Sequence, residues 1–321
     1  LKKQLRWAGM GLIGMIVAMK FNYKKLRSLA IPLMILTLAA LVLIFTPLGI
    51  GAKGSIRSLG TESIHIAPAE VAKLTLILFL AKYMDANIGK IKFFYKGVLP
   101  VLGVTAVVCG LILAQPDLGT SVTLAGTVFF MLVAAGARWN HMGLLTISGL
   151  GLIAGAIIME PYRAQRFLGF LDPWKYPQGI GYQTIQSLYA LGSGGLFGLG
   201  LGRSRQKYFY LPEKHTDFIF AILGEELGFL GVIVVLALFV LIAWRGYKIA
   251  LNAPDNFGNL LATGITTVII FQALINIGVV AGCLPVTGIT LPFISYGGSS
   301  LLFSMIGIGL LLNVSRYSSG R

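Results

Sequence analysis

The sequence predicts an all-α polytopic membrane protein of about nine membrane helices, with one long loop before the last three. Three observations carry this. Of 321 residues, 56% are hydrophobic and only 12% are charged, about half the charged share of a soluble domain. The apolar residues gather in runs near the length of about twenty that crosses a bilayer as a helix. The connections between runs are shorter than a polar stretch over residues 160–226, and those on one side are basic. The chain, 1–321, is read as one membrane domain that contains this loop.

In order, the runs fall at Leu5–Phe21, Leu29–Ile50, Pro68–Met84, Val98–Ala114, Gly119–Ala137, Met142–Met159, Leu227–Tyr247, Leu260–Ala281 and Ser299–Val314. The shorter ones cross with snorkelling ends or local thinning. Pro68–Met84 is interrupted by Glu70, Lys73 and Lys82, so it fits a membrane-surface helix nearly as well as a span. Lys and Arg in short loops orient the bundle, because they stay on the cytoplasmic side. One set of alternate connections holds Lys20, Lys24, Lys25 and Arg27, then Lys90, Lys92 and Lys96, then Arg138, then Arg245 and Lys248, then Arg316 and Arg321. That set is cytoplasmic. The other side holds Lys2, Lys3, Arg6, Lys53 and Arg57, and it has no Lys or Arg from Cys283 to Gly298. The long loop, the segment around Arg57 and the turn Gln115-Pro116-Asp117 therefore fall outside. Both ends inside would require one more helix before Leu1, and an N-terminal piece is expected ahead of this sequence.

The net charge is +15. In this apolar background it reads as loop retention, attraction to anionic lipid, or an anionic substrate rather than nucleic acid. Cys109 and Cys283 fit no disulfide or metal-ligand spacing, and His65, His141 and His215 are scattered; no metal site is expected.

Chemistry concentrates in residues 210–228, YLPEKHTDFIFAILGEELG. A carboxylate at the centre of a span costs roughly 2.5–3.5 kcal/mol on insertion scales, so acidic residues gathered beside spans point to use. Asp217 precedes the apolar Phe218-Ile219-Phe220-Ala221. Held against such neighbours, a carboxylate has its charged form disfavoured, which suits a general base. The structural alternative is a helix N-cap. Glu225 and Glu226 read as a second carboxylate pair or as a solvated helix end. Glu70 and Lys73, three apart, share a helical face and can pair, either toward a bundle interior or as a simple bridge. Gln115 and Asp117 sit in a tight turn that an Asx motif would explain, yet they lie on the same side as Asp217. Arg57, Arg163, Arg166, Arg203, Arg205, Lys207 and Lys214 make the outer surface basic, suited to phosphate or to anionic headgroups. The glycine-rich run 192–202 lacks G-x-G-x-x-G spacing and reads as a pliable or close-packed loop.

Five stretches then carry a resemblance: PAEVAKL at 68–74, QPDLGT at 115–120, PYRAQRFLGFLDPW at 161–174, GLGLGRSRQKYFYLPEKHTDFIFAILGEELG at 198–228 and PVTGITLPFISYGGSS at 285–300. The chain resembles the SEDS family (shape, elongation, division and sporulation), closest to its FtsW/SpoVE branch. The resemblance implies ten membrane helices, of which this sequence begins at the second. It implies peptidoglycan glycosyltransfer from lipid II on the outer face of the cytoplasmic membrane, at the septum or in sporulation. The family's essential aspartate falls on Asp217, which turns the reading from cap to base. Arg57, Lys73, Arg163, Arg166 and Lys207 become candidates to stabilise the departing pyrophosphate, with Glu70 holding Lys73 and with Gln115 and Asp117 shaping the cavity. No cofactor is fixed; a divalent cation is open. Expected partners are lipid II, a class B penicillin-binding protein and other division-complex membrane proteins, with docking read onto Gly228–Ala243 and Leu260–Ala281, where internal packing within the bundle is the alternative. A lipid II flippase and a scaffold for the transpeptidase are the alternative functions.

Overall fold

The computed structural model describes residues 2–47, 49–52, 55–60, 65–206, 211–213 and 215–318. Its helices are α1 (Lys2–Lys20), α2 (Tyr23–Leu43), α3 (Pro68–Ala86), α4 (Leu99–Leu113), α5 (Leu118–Ala134), α6 (Trp139–Ile158), α7 (Pro161–Leu171), α8 (Tyr182–Ser193), α9 (Ile219–Leu251), α10 (Asn256–Val280) and α11 (Gly298–Tyr317). A small antiparallel sheet of β1 (Gly49–Ala52), β2 (Ser55–Gly60) and β3 (His65–Ile66), in that order, lies between α2 and α3 in the chain.

Two compact units form. The first comprises Leu1–Met142, Ile242–Phe271 and Gly297–Arg321; the second comprises Gly143–Leu241 and Gln272–Tyr296. In the first, α1 packs along α11, where Gly309 lets the helix come close to Met15 and Ala18. Asn313, on α11, is buried and accepts from Tyr23 N (3.2 Å) while donating to Ala18 O and Met19 O, which fixes the turn between α1 and α2. The Tyr23 hydroxyl donates to Asp255 at 2.8 Å.

The centre of this unit is α3. Leu76, Ile77, Leu80, Ala81 and Met84 are fully enclosed, with α2, α4, α5 and α11 among its neighbours. Enclosed this way, α3 packs as an interior helix of its unit. Pro68 starts α3 at a position where its missing N–H is no loss, and Glu70 in the first turn suits the positive end of the helix dipole.

Six helices among the described residues are long and apolar enough to cross a membrane: Tyr23–Leu43, Phe94–Leu113, Trp139–Ile158, Ile219–Leu251, Asn256–Val280 and Gly298–Tyr317. The other three predicted runs are also helical. α1 and α3 carry several charges, and α5 is shorter, at 17 residues.

In the second unit, the long polar stretch is largely helical. It holds the amphipathic α7, a single 3-10 turn at Pro173–Lys175, and α8. On α8, Thr184, Ile185, Ser187 and Ala190 are buried, and Ser187 donates to Val280 O at 2.7 Å.

The predicted docking surface on Leu260–Ala281 is overturned. α10 is buried along most of its length, and its Gln272 and Asn276 amides are spent inside the chain. The small and polar residues there serve internal packing. By contrast, α9 exposes Phe229, Ile233, Val234, Leu238, Val240, Leu241 and Trp244.

Candidate functional site

Asp217 lies in the turn before α9, in the second unit. The first bonds of that helix run from Ala221 N and Ile222 N to Phe218 O. The carbonyl that opens the ladder therefore belongs to Phe218, and Asp217 sits one residue ahead of the cap position. Its main chain is held from outside the helix. Three consecutive carbonyls each accept a bond: His215 O from Tyr296 N at 2.7 Å, Thr216 O from the Ser295 hydroxyl at 2.6 Å, and Asp217 O from Asn276 Nδ2 at 2.8 Å. Asn276 also donates to Ile289 O at 2.7 Å, and Ser295 Oγ accepts from Leu291 N at 2.7 Å. Asp217 Oδ2 faces Gly288, where an added Cβ would lie 3.7 Å away. The PVTGITLPFISY segment is thus the cradle of the aspartate.

Helix α7 reaches the same cradle. Arg166 donates from Nη1 to Val286 O at 3.0 Å and lies over the Tyr162 ring at 4.4 Å. Arg163 donates to Ala156 O at 3.1 Å, tying α7 back to α6. Beside His215, a cavity of about 280 Å³ is lined mainly by Leu201, Ile219, Ile222, Leu223, Leu227 and Ile294, with Glu226 at its wall.

The glycine-rich run has a structural task. α9 breaks at Gly228, whose φ of 67° and ψ of −167° only glycine adopts readily. The groups freed by the break bond to the glycine loop: Leu199 N to Glu225 O, Gly200 N to Glu226 O, Phe229 N to Gly195 O and Leu230 N to Leu196 O, at 2.9–3.2 Å. Gly198 and Gly228 meet backbone to backbone, where no Cβ fits. The close-packed reading holds.

Glu225 is buried, at 1% exposure. Its carboxylate accepts from the Ser204 hydroxyl, from Arg205 N at 2.9 Å and from Gln206 N at 3.5 Å. It is neither a solvated helix end nor an open acid.

The first unit holds two other predicted groups. Arg57, on β2, donates from Nε to Gln115 O at 3.2 Å and from Nη2 to Pro116 O, and its Nη1 lies 3.9 Å from Asp117 Oδ2. Asp117 caps α5, accepting from Thr120 N at 3.0 Å and from the Thr120 hydroxyl at 2.9 Å. Gln115 is buried and donates to Leu41 O at 3.3 Å. Arginine, carboxylate and amide lock one turn. Nearby in the chain, Lys73 Nζ sits 2.7 Å from Glu70 Oε2, with Lys73 only 6% exposed. The predicted pairing is present.

Of the predicted site residues, Asp217 and Arg166 are joined through the cradle, Arg57 joins Gln115 and Asp117, and Glu70 joins Lys73. Arg163 ties α7 to Ala156 O, and Lys207 lies outside the described residues. Sequence reasoning missed Asn276, Ser295 and Gly288. The signal was there for Asn276, an amide within an apolar span, but it was read as a partner contact. Among the described residues no group of three or more His, Cys, Asp or Glu gathers as a metal site.

Comparison with known proteins places these features in context. Residues 1–320 match the FtsW/RodA/SpoVE family model, described as cell cycle protein. Stage V sporulation protein E of Bacillus subtilis is 49% identical over 318 residues, covering 99% of this chain and 87% of its own length. The "probable peptidoglycan glycosyltransferase FtsW" of Geobacter metallireducens is 43% identical over 322 residues, covering 100% and 86%. Among solved structures, a chain from a peptidoglycan synthase complex that coordinates polymerization and crosslinking superimposes with a TM-score of 0.84 at 32% identity. It covers 100% of this chain and 90% of that one.

Proposed function

The chain belongs to the FtsW/RodA/SpoVE family of cell cycle proteins, and from that membership we propose that it is a peptidoglycan glycosyltransferase that polymerises lipid II at the outer face of the cytoplasmic membrane. The observation that carries this is its likeness, over 322 residues, to a probable peptidoglycan glycosyltransferase. The work belongs to envelope synthesis in division or sporulation.

We read nine crossings here, the six long apolar helices together with α1, α3 and α5. Asp217 is the base in this reading. A sugar hydroxyl attacks the anomeric carbon of the donor, its proton passes to an Asp217 carboxylate oxygen, and the bond from that carbon to the lipid pyrophosphate breaks. Outside the cell the donor must arrive already activated, and a lipid pyrophosphate is. Charge on the leaving group is met by fixed cations, for which Arg163 and Arg166 are suited and Lys207 is kept, while Lys73 is assigned to its buried pair with Glu70. Arg57, bonded to a turn, is assigned to shaping along with Gln115 and Asp117. A divalent cation would be held by a carboxylate and the donor's own phosphates rather than by a protein cage.

Polymerisation is coupled to crosslinking in the complex whose chain this one resembles. We place the single span of a class B penicillin-binding protein on the exposed apolar face of α9 between Phe229 and Trp244. Crosslinking probes along this helix should capture that span from one face only.

A second reading, lipid II translocation, draws on the buried Glu70–Lys73 pair, since transporters place coupled polar groups inside the bundle. Purified protein given lipid II in detergent, where no sides exist, decides. Glycan polymer supports the transferase, and its absence from a folded preparation overturns it.

A further inference from the structure

We propose that Asn276 and Ser295 are positioning residues that set the catalytic aspartate through its main chain, an inference that rests on Asp217 being the base. Three carbonyls in succession, from His215 to Asp217, are bonded from residues 276–296. A turn needs no such treatment to close. Two of its own bonds, Thr216 N and Phe218 N to Glu213 O, already do that. The three added bonds fix where the turn stands relative to PVTGITLPFISY, and so where the Asp217 side chain departs.

The chemistry of the holders fits the task. Each is neutral, so none supplies a charge that would compete with the carboxylate for a proton or hold it against one. Asn276 is 2% exposed, and its amide spans two chain segments with one nitrogen, giving one hydrogen to Asp217 O and one to Ile289 O. Turning the amide over would set its oxygen against two carbonyls, so the orientation is forced. Ser295 acts in relay, accepting from Leu291 N and donating to Thr216 O. Aspartate has a short side chain, and its reach is set almost wholly by its backbone. A misplacement of about 1 Å can cost about 10²-fold in rate.

Gln272 provides an internal control. It lies one turn earlier on α10, is equally buried at 2%, and its amide also donates to a carbonyl of the cradle segment, that of Thr290 at 2.9 Å. Its amide makes the same kind of bond to residue 290, at the carbonyl and at the hydroxyl (3.3 Å) of Thr290.

The test measures lipid II polymerisation, thermal unfolding and hydrogen exchange in detergent for Asn276→Ala, Ser295→Ala, Gln272→Ala and Asp217→Asn. The expected result is a 10- to 100-fold loss of kcat in the first two with KM changed less than about threefold. Exchange at the peptide holding Tyr296 N–H should quicken in both. Gln272→Ala should lower the unfolding temperature comparably and keep kcat within about threefold. If Asn276→Ala does not fold, Ser295→Ala, outside any helix, carries the same test. Equal losses of kcat in Gln272→Ala and Asn276→Ala, or full kcat in Asn276→Ala, overturn the proposal. If Asp217→Asn retains activity, the base assignment fails instead; inactive Asp217→Asn beside fully active Asn276→Ala sinks only the positioning role.

Discussion

Glu70 and Asp217 are both carboxylates at the start of an apolar helix, and they are secured by opposite means. Glu70, in the first turn of α3, is held by its own oxygen against Lys73 at 2.7 Å. Asp217, ahead of α9, is held by its main chain and its neighbours' through Tyr296, Ser295 and Asn276. The first arrangement holds a charge directly, side chain against side chain. The second fixes the chain that carries the charge while its holders stay neutral. One builds an interior; the other suits a group that must take up and release a proton.

Replacing each carboxylate is the strongest way to break this contrast. Asp217→Asn keeps the shape and removes the basic site, so polymerisation should fall by about 10²–10⁴-fold, the usual contribution of a general base, with membrane insertion unchanged. A folded Asn variant retaining more than about a tenth of the rate ends the assignment. Glu70→Ala or Lys73→Ala should instead be felt as stability, at about 3–5 kcal/mol each, because a buried charge is stranded. The double variant should lose less than the sum in thermal unfolding. Strictly additive losses would remove the pair from the argument.

Smaller effects sharpen the contrast. Glu225→Ala leaves one hydroxyl and two backbone N–H groups without their acceptor. Bonds to a charged group are worth about 1.5–3 kcal/mol, so a loss near that size is expected, with faster proteolysis around residues 204–206. Unchanged proteolysis would mean that the carboxylate does not order that segment. The smallest change should follow Arg57→Lys, about 1 kcal/mol. An ammonium cannot reproduce the fork that grips Gln115 O and Pro116 O together. Unfolding that matches the parent would show that the turn closes without that fork.

Much of this was legible in the sequence, and the limits have physical causes. Runs of apolar residues revealed the helices, because hydrocarbon admits little else. The i,i+3 spacing revealed Glu70 and Lys73, because a helix brings such residues onto one face. Asp217 stood out as a charge beside an apolar stretch. The cradle was hidden because its bonds are made to backbone carbonyls, which every residue has, by donors 59 and 79 residues away for Asp217 and Thr216. Gln272 and Asn276 were visible as amides in a span, yet composition does not say whether an amide bonds inward or to a partner. The bonds that Arg57 makes were hidden for the same reason: its acceptors are main-chain atoms of a distant turn. The glycine run reads as pliable or close-packed, and its counterpart, the break at Gly228, carries no sequence mark beyond one more glycine.

The positions of these holders in the chain also set an order in time. A ribosome makes the glycine loop before it makes the break in α9, so the groups that seal the break are present as soon as the break emerges. The groups that hold the aspartate are made last among these, at residues 276, 295 and 296. A nascent chain halted before them can insert most of its helices and seal α9, and it still carries an aspartate that nothing from the cradle has aligned. Arming of the site therefore waits for residues 276–296, whatever the state of the helices made before them.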